Sequence, residues 1–462
     1  MFRQNASARL RQRKKCGKIE RLKSPYPKWY SILKNLTGGS KMTYDITTFG
    51  AVADGKTVCT KYIQQAIDTC AANGGGTVLV PAGNYITGTI FMRSHVELHL
   101  ETAAVLTAST DLADYNADDA YPENQSCLPE EWNAKHLIIV NRCEDVALTG
   151  NGWLDGRGDF FFEDVPPKVN RYYGWFDGFA KARDKVNLRP GQLVCFIRSQ
   201  HLRVENISAR NATCWAFYFL GCEFVQIRGI KVLNTSYFAN TDGIDIDCCH
   251  NVTISDCIIR TGDDCITLRC CTNKLDGWQD CANVTITNCV LSACACAFRI
   301  GVGPGLVRDA RISNIVVEQA ANAICFCCGW ANKPSHMKNI HFSDITVYNS
   351  SRAIHIGGKN WGHAGSVDHV SISRVSADVW ATNSVQALDD CSIRDVTLRD
   401  IDLHFRNRPN YDAALMQEQR GDDMLVFENV HGLRTENLRV TWEESERDTW
   451  RDVIHEVNVV RG

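Results

Sequence analysis

From about residue 90 onward, hydrophobic and polar positions alternate with a period of two, in short phrases that recur along the chain. Each phrase reads hydrophobic-x-hydrophobic, then a small or polar pair, then hydrophobic again. Examples are HLRVENISA from His201, FVQIRGIKV from Phe224, NVTISDCII from Asn251 and NVTITNCVL from Asn283. The series continues with DARISNIVV from Asp309, NIHFSDITV from Asn339, HVSISRVSA from His369 and DVTLRDIDL from Asp395. Alternation of this kind marks short strands with one buried face. The Asn, Gly, Asp and Ser residues between the phrases supply turns. Successive phrases begin 23, 27, 32, 26, 30, 30 and 26 residues apart. A propeller would need about four strands in each blade of roughly 40 residues; a repeat here has room for two or three, and its length varies. A solenoid accommodates that variation, because each coil contacts only its neighbours. The pattern predicts an all-β chain wound as a parallel β-helix.

Against this background the stretch NTDGIDIDCCHNVTISDCIIRTGDDCITLR, residues 240–269, stands out for its aspartates. Asp242 precedes the pair Asp263 and Asp264 by 21 and 22 residues, about one coil. Neighbouring strands lie about 4.8 Å apart, so one turn of chain returns Asp242 to the same corner of the solenoid as the pair. Crowded carboxylates repel, which favours one protonated beside an ionised partner, as a general acid and a general base require. The alternative is that all three are turn aspartates capping loop amides.

Further motifs carry a resemblance. FGAVADGKTVCTKYIQQAIDTCAANGGGTVLVPAGNYITGTI is similar to the capping region of the pectin-lyase-like β-helix proteins, with a helix at about residues 60–72 plugging the open end of the solenoid. NGWLDGRG (151–158), NTDG (240–243) and GDDC (262–265) together resemble glycoside hydrolase family 28, the polygalacturonase family, over roughly residues 44–440. The resemblance implies a single-stranded right-handed parallel β-helix with an N-terminal capping helix, and hydrolysis with inversion. It makes Asp263 the general acid and gives Asp242 and Asp264 the attacking water, with Asn240 orienting the site. An inverting pair is expected to stand about 6.5–9.5 Å apart.

The chain departs from the family in three places. Where a Gly-His-Gly segment is expected it has CACAFRIG, with Ala295 in the place of the histidine; one coil later AICFCC puts Cys325 and Cys327 in the places of two cations. Strand alternation turns Cys325 and Cys327 to the cleft and Cys294 and Cys296 inward, so the two pairs should not converge. Candidate replacements for the uronate-binding cations are Arg269, Arg299, Arg352, His355 and Lys359. The insertion GDFFFEDVPPKVNRYYGWFDGF, residues 158–179, holds eight aromatics, which either stack on sugar faces or pack back on the solenoid wall.

Composition narrows the setting. The net charge of −3 argues against a general polyanion binder, and hides an asymmetry: residues 1–41 carry twelve Lys/Arg against one Glu, leaving the rest at about −14. The first 41 residues read as a basic, disordered extension, with Met42 as the natural start, and residues 42–462 as the hydrolase domain. No stretch is apolar for long enough to be a secretory signal or a membrane span. The 22 cysteines, several of them adjacent, suit a reducing compartment, with thiols as small buried hydrophobes. The expected setting is therefore cytoplasmic. The expected partner is an oligosaccharide or polysaccharide, with no nucleic acid, membrane, metal or cofactor; zinc-type spacings do not repeat. Two other readings remain: a β-helix polysaccharide lyase or epimerase, and a carbohydrate-binding solenoid whose catalytic machinery has decayed.

Overall fold

A computed structural model describes residues 42–117, 134–163, 189–236, 238–271, 275, 280–330, 333–357, 365–388, 390–407 and 420–462. The basic extension and Lys359 lie outside these residues, as does the insertion beyond Glu163. The hydrophobic positions of the eight repeated phrases stack on one another. Leu202 lies beside Val225, followed by Val252, Val284, Ala310, Ile340, Val370 and Val396. All of these pairings are parallel, and the spacing read from the sequence is the register of the coils. Stacking begins earlier than the first clear phrase, where Thr43–Asp45 pairs with Gly76–Val80. The fold is a right-handed parallel β-helix.

Three strand stacks make its walls. One contains Gln200–Glu205, Glu223–Arg228 and His250–Ser255. The next contains Ser208–Arg210, Lys231–Leu233 and Ile258–Arg260. The third, the site sheet, contains Val194–Ile197, Phe217–Leu220, Ile244–Asp247, Ile266–Arg269 and Cys296–Gly301. Inward side chains fill one continuous apolar core from Ile46 to Trp450. Stacking extends to rings, with Phe196 and Phe219 parallel at 4.4 Å.

The corner between the first two stacks turns through single left-handed residues. Asn206, Asp256, Asn288, Asn314, Asp344, Asp400 and Asn437 all have φ between 50° and 60°. Asn and Asp tolerate this conformation better than other residues with a Cβ. Their side chains also bridge coils: Asn288 donates to Asp256 at 3.1 Å, Asn314 to Asn288 at 2.8 Å and Asn437 to Asp400 at 2.8 Å.

The helix Thr60–Ala72 caps the N-terminal end and buries Ile63, Ala66, Ile67 and Cys70, the i, i+3, i+4, i+7 stripe that faces a core. Among the described residues no helix is long and apolar enough to cross a membrane.

Candidate active site

The three aspartates meet where the second stack turns into the site sheet. Ile244 pairs with Ile266 in register, 22 residues later. Just upstream, the Gly243 N–H donates to the Asp264 carbonyl at 2.9 Å. The spacing of one coil therefore brings NTDG directly against GDDC. Both glycines are required by close approach. A Cβ on Gly243 would stand 2.5 Å from the Cys265 carbonyl oxygen, and one on Gly262 would stand 2.2 Å from that of Phe238. Threonines brace the two turns: Thr261 Oγ1 donates to the Asp263 carbonyl at 2.8 Å, and Thr241 Oγ1 to that of Phe238 at 2.7 Å. The cysteine of GDDC is a core residue, its thiol pushed up to about 12 by burial.

Asp242, Asp263 and Asp264 are between 4 and 8% exposed. One carboxylate oxygen from each lies within 4.8 Å of the others. Two oxygens at this separation can share one water between them, with each leg near a normal hydrogen-bond length of about 2.8 Å.

Each carboxylate has its own surroundings. Asp263 Oδ2 accepts from the Asn240 backbone N–H at 3.2 Å. Asn240 adopts φ 55°, and its side-chain oxygen accepts from Arg189 at 2.8 Å. Arg189 also donates to the carbonyls of Thr213 and Ala239, so it ties two turns of the site to one guanidinium. It lies 5.3 Å from the Phe162 ring, which stacks on Phe238 at 4.3 Å. No motif marked Arg189; it lies just beyond the aromatic insertion, and only the coil topology brings it to Asn240. Of the insertion's aromatics, Phe162 packs back on the site loop and Phe160 is exposed.

Asp264 is held from the next coil. Its Oδ1 accepts from the Cys296 N–H at 2.8 Å and from Arg299 Nη2 at 2.9 Å, while Oδ2 accepts from Arg299 Nε. Burial opposes charge on Arg299, but Asp264 overcomes it and holds the guanidinium well above its ordinary pKa. Arg299 thus stands against a protein carboxylate. Arg269 is likewise in the floor of the sheet: it pairs with Asp245 at 3.4 Å and with Asp247 at 3.6 Å, and it lies 4.4 Å from the Trp215 ring centroid.

Further along the same outward column, Cys325 pairs with Arg299 and His355 with Cys325. Arg352 Nε donates to the Thr382 carbonyl at 2.9 Å. His355 shares a hydrogen bond with Ser384 at 2.9 Å, and is lowered to about 3 by burial and by the charges of Arg352 and Arg299, so it is neutral.

One expectation about the cysteines is overturned. Cys296 is not part of the core and does not point inward away from Cys325; Asn322 donates to its sulfur at 3.7 Å. Ala297 and Phe298 both enter the core, which breaks strict alternation and turns Cys296 outward. On this coil the Cys294 and Cys296 thiols both feel the charge of the carboxylates. Donation from Cys296 lowers Cys325 against the effect of burial, helped by Arg299 and Arg352.

The outer face of the site sheet is apolar on the coils before the carboxylates. Ile139, Cys195, Ile197, Tyr218 and Leu220 form a buried cluster there with Trp215, and Phe91 and Leu275 pack against it. Side chains that point away from the solenoid core would be exposed in an open groove. Here they are covered.

The fold and the carboxylate cluster define a class, and comparison with known proteins identifies it. The profile of glycosyl hydrolases family 28 matches residues 70–404, and the chain belongs to that family. A probable polygalacturonase of Vitis vinifera is 26% identical over 336 residues, covering 69% of this chain and 63% of its own length. An exopolygalacturonase of Zea mays is 23% identical over 414 residues, covering 83% of this chain and 88% of its own. The crystal structure of an exopolygalacturonase from Thermotoga maritima superposes with a TM-score of 0.65 at 21% identity, over 87% of this chain and 92% of that one.

Proposed function

We propose that the protein is an exo-acting, inverting hydrolase of pectin-derived oligosaccharides that contain galacturonate. The observation that carries this reading is the cluster of three buried carboxylates on abutting coils beside a covered stretch of the site sheet. Asp263 supplies the proton to the glycosidic oxygen as the bond breaks. A water held between Asp242 and Asp264 attacks the anomeric carbon from the opposite face and gives up its proton to that pair. The bond from water oxygen to carbon forms as the bond to the leaving sugar breaks, which inverts the centre. The covered coils stop a chain from running through, which favours removal of sugars from one end. The curated relatives named exopolygalacturonase support this choice.

Arg352 and His355 lie on the coils beyond Asp264 and supply polarity toward a uronate carboxylate, with neutral His355 able to share one hydrogen bond. Burial of nearly all the cysteines among the described residues, Cys391 being half-buried, supports their use as small hydrophobes and with it a reducing, cytoplasmic setting. Fractionation of cells would test the location, and recovery outside the cytoplasm would refute it.

The test of activity is a panel of oligogalacturonides, rhamnogalacturonan fragments and neutral pectic oligosaccharides, followed for new reducing ends. Release from an acidic oligosaccharide that Asp263→Asn abolishes supports the proposal. The cysteines at the two cation positions favour one other reading, a carbohydrate-binding solenoid. Binding without turnover, equal in wild type and Asp263→Asn, would establish that reading instead.

A further inference from the structure

We propose that Arg299 is a positioning residue that fixes Asp264 in the reactive site, rather than a ligand for the substrate's carboxylate. The inference rests on the hydrolase reading and adds a component to it. Three donors converge on Asp264 from one neighbouring coil: two from Arg299 and one from the backbone of Cys296. The Arg299 and Asp264 side chains are only 8% and 5% exposed. A buried guanidinium bound side-on to a carboxylate sets both its distance and its plane. Asp264 therefore cannot rotate away from the water it shares with Asp242 without breaking three hydrogen bonds at once.

The surroundings of Arg299 explain why this pairing is stable. Besides Asp264, the ionisable groups near it include Cys296, Cys325 and Cys327 and, two coils on, His355. The thiols are small and weakly polar, and Cys325 is the one that leans toward thiolate. Asp264 is the carboxylate to which the guanidinium donates twice.

The test uses the full chain with Arg299→Gln, Arg299→Lys, Asp264→Asn and the double variant Arg299→Gln/Asp264→Asn. With an oligogalacturonide as substrate, Arg299→Gln is expected to lower kcat by about 100-fold or more, the range for loss of one preorganised electrostatic partner, with KM changed less than about threefold. Arg299→Lys restores charge without side-on geometry and is expected to recover part of the loss. The double variant is expected to be no slower than Asp264→Asn alone, because the two residues act as a unit. A raised KM with unchanged kcat in Arg299→Gln would overturn the proposal and make Arg299 a substrate ligand. Additive losses in kcat would overturn it too.

Thermal unfolding separates this inference from the hydrolase reading. Arg299→Gln and Asp264→Asn each leave one buried charge without its partner and should lower Tm, and the double variant should fall less than the sum of the two. That coupling, together with no turnover in wild type, would refute the hydrolase reading and retain the pairing. Absence of coupling, with turnover present, would refute the pairing and retain the hydrolase.

Discussion

At the scale of the residue, the site is made by few atoms under tight steric control. Gly262 has the Phe238 carbonyl against the place where a Cβ would stand. Gly262→Ala is expected to displace the GDDC turn, cost about 1–3 kcal/mol of stability and reduce kcat, measured by denaturation and by sugar release. Titration adds a second test. His136 is wholly buried, and burial lowers it to about 4 despite its hydrogen bond to the Gln192 carbonyl at 2.9 Å. The unfolded chain protonates this histidine near its ordinary value of 6.5, whereas the folded protein does not until about pH 4. The unfolded state therefore binds more protons in that window, and stability contributed above pH 6.5 is lost as the pH falls toward 4, by up to about 3 kcal/mol. His136→Gln should flatten that part of the stability profile; an unchanged slope would rule out this histidine as its source.

Legibility also divides at this scale. Asp242, Asp263 and Asp264 could be placed together from sequence because one coil length is a simple translation. Cys296 could not be oriented, since Ala297 and Phe298 both turn to the core and strict alternation fails there. Arg189 and the pairing of Arg299 with Asp264 depend on side chains crossing between coils, which no spacing along one strand encodes.

At the scale of the element, local backbone chemistry and register agree. The repeated phrases gave the coil register because their buried positions are the ones that stack. The corners were visible only as turn residues, yet the structure makes them a ladder of left-handed Asn and Asp linked from coil to coil. Asn288 occupies the middle of that ladder with φ 57°, donating to Asp256 and accepting from Asn314. Asn288→Ala loses both contacts and places a less tolerant residue in the left-handed region, a cost of about 1–2 kcal/mol. Asn288→Gly keeps the backbone freedom and should lose less; equal losses in the two variants would show that only the side-chain contacts matter. The capping helix was legible through the resemblance of FGAVADGKTVCTKYIQQAIDTCAANGGGTVLVPAGNYITGTI to a β-helix capping region. Ile67→Asp would put a charge at a fully buried position of its apolar stripe, and is expected to expose the end coil and yield aggregated protein, read by light scattering.

At the scale of the whole molecule, a solenoid converts sequence distance into position along one axis. Coils before the carboxylates present a covered apolar face, the carboxylates follow, and the polar column of Cys325, His355 and Ser384 lies beyond them. This order gives the cleft a direction, and direction is what an exo-acting enzyme needs. The central claim is that Asp242, Asp263 and Asp264 together hydrolyse a terminal sugar with inversion. The most direct measurement is proton NMR of a defined oligogalacturonide mixed with wild type and with Asp263→Asn, recording product length and the anomer first formed. The account predicts monogalacturonate as the first product, appearing as the anomer opposite to the linkage cleaved, and none from Asp263→Asn. Internal fragments, retention of configuration, or equal release by the variant would contradict it.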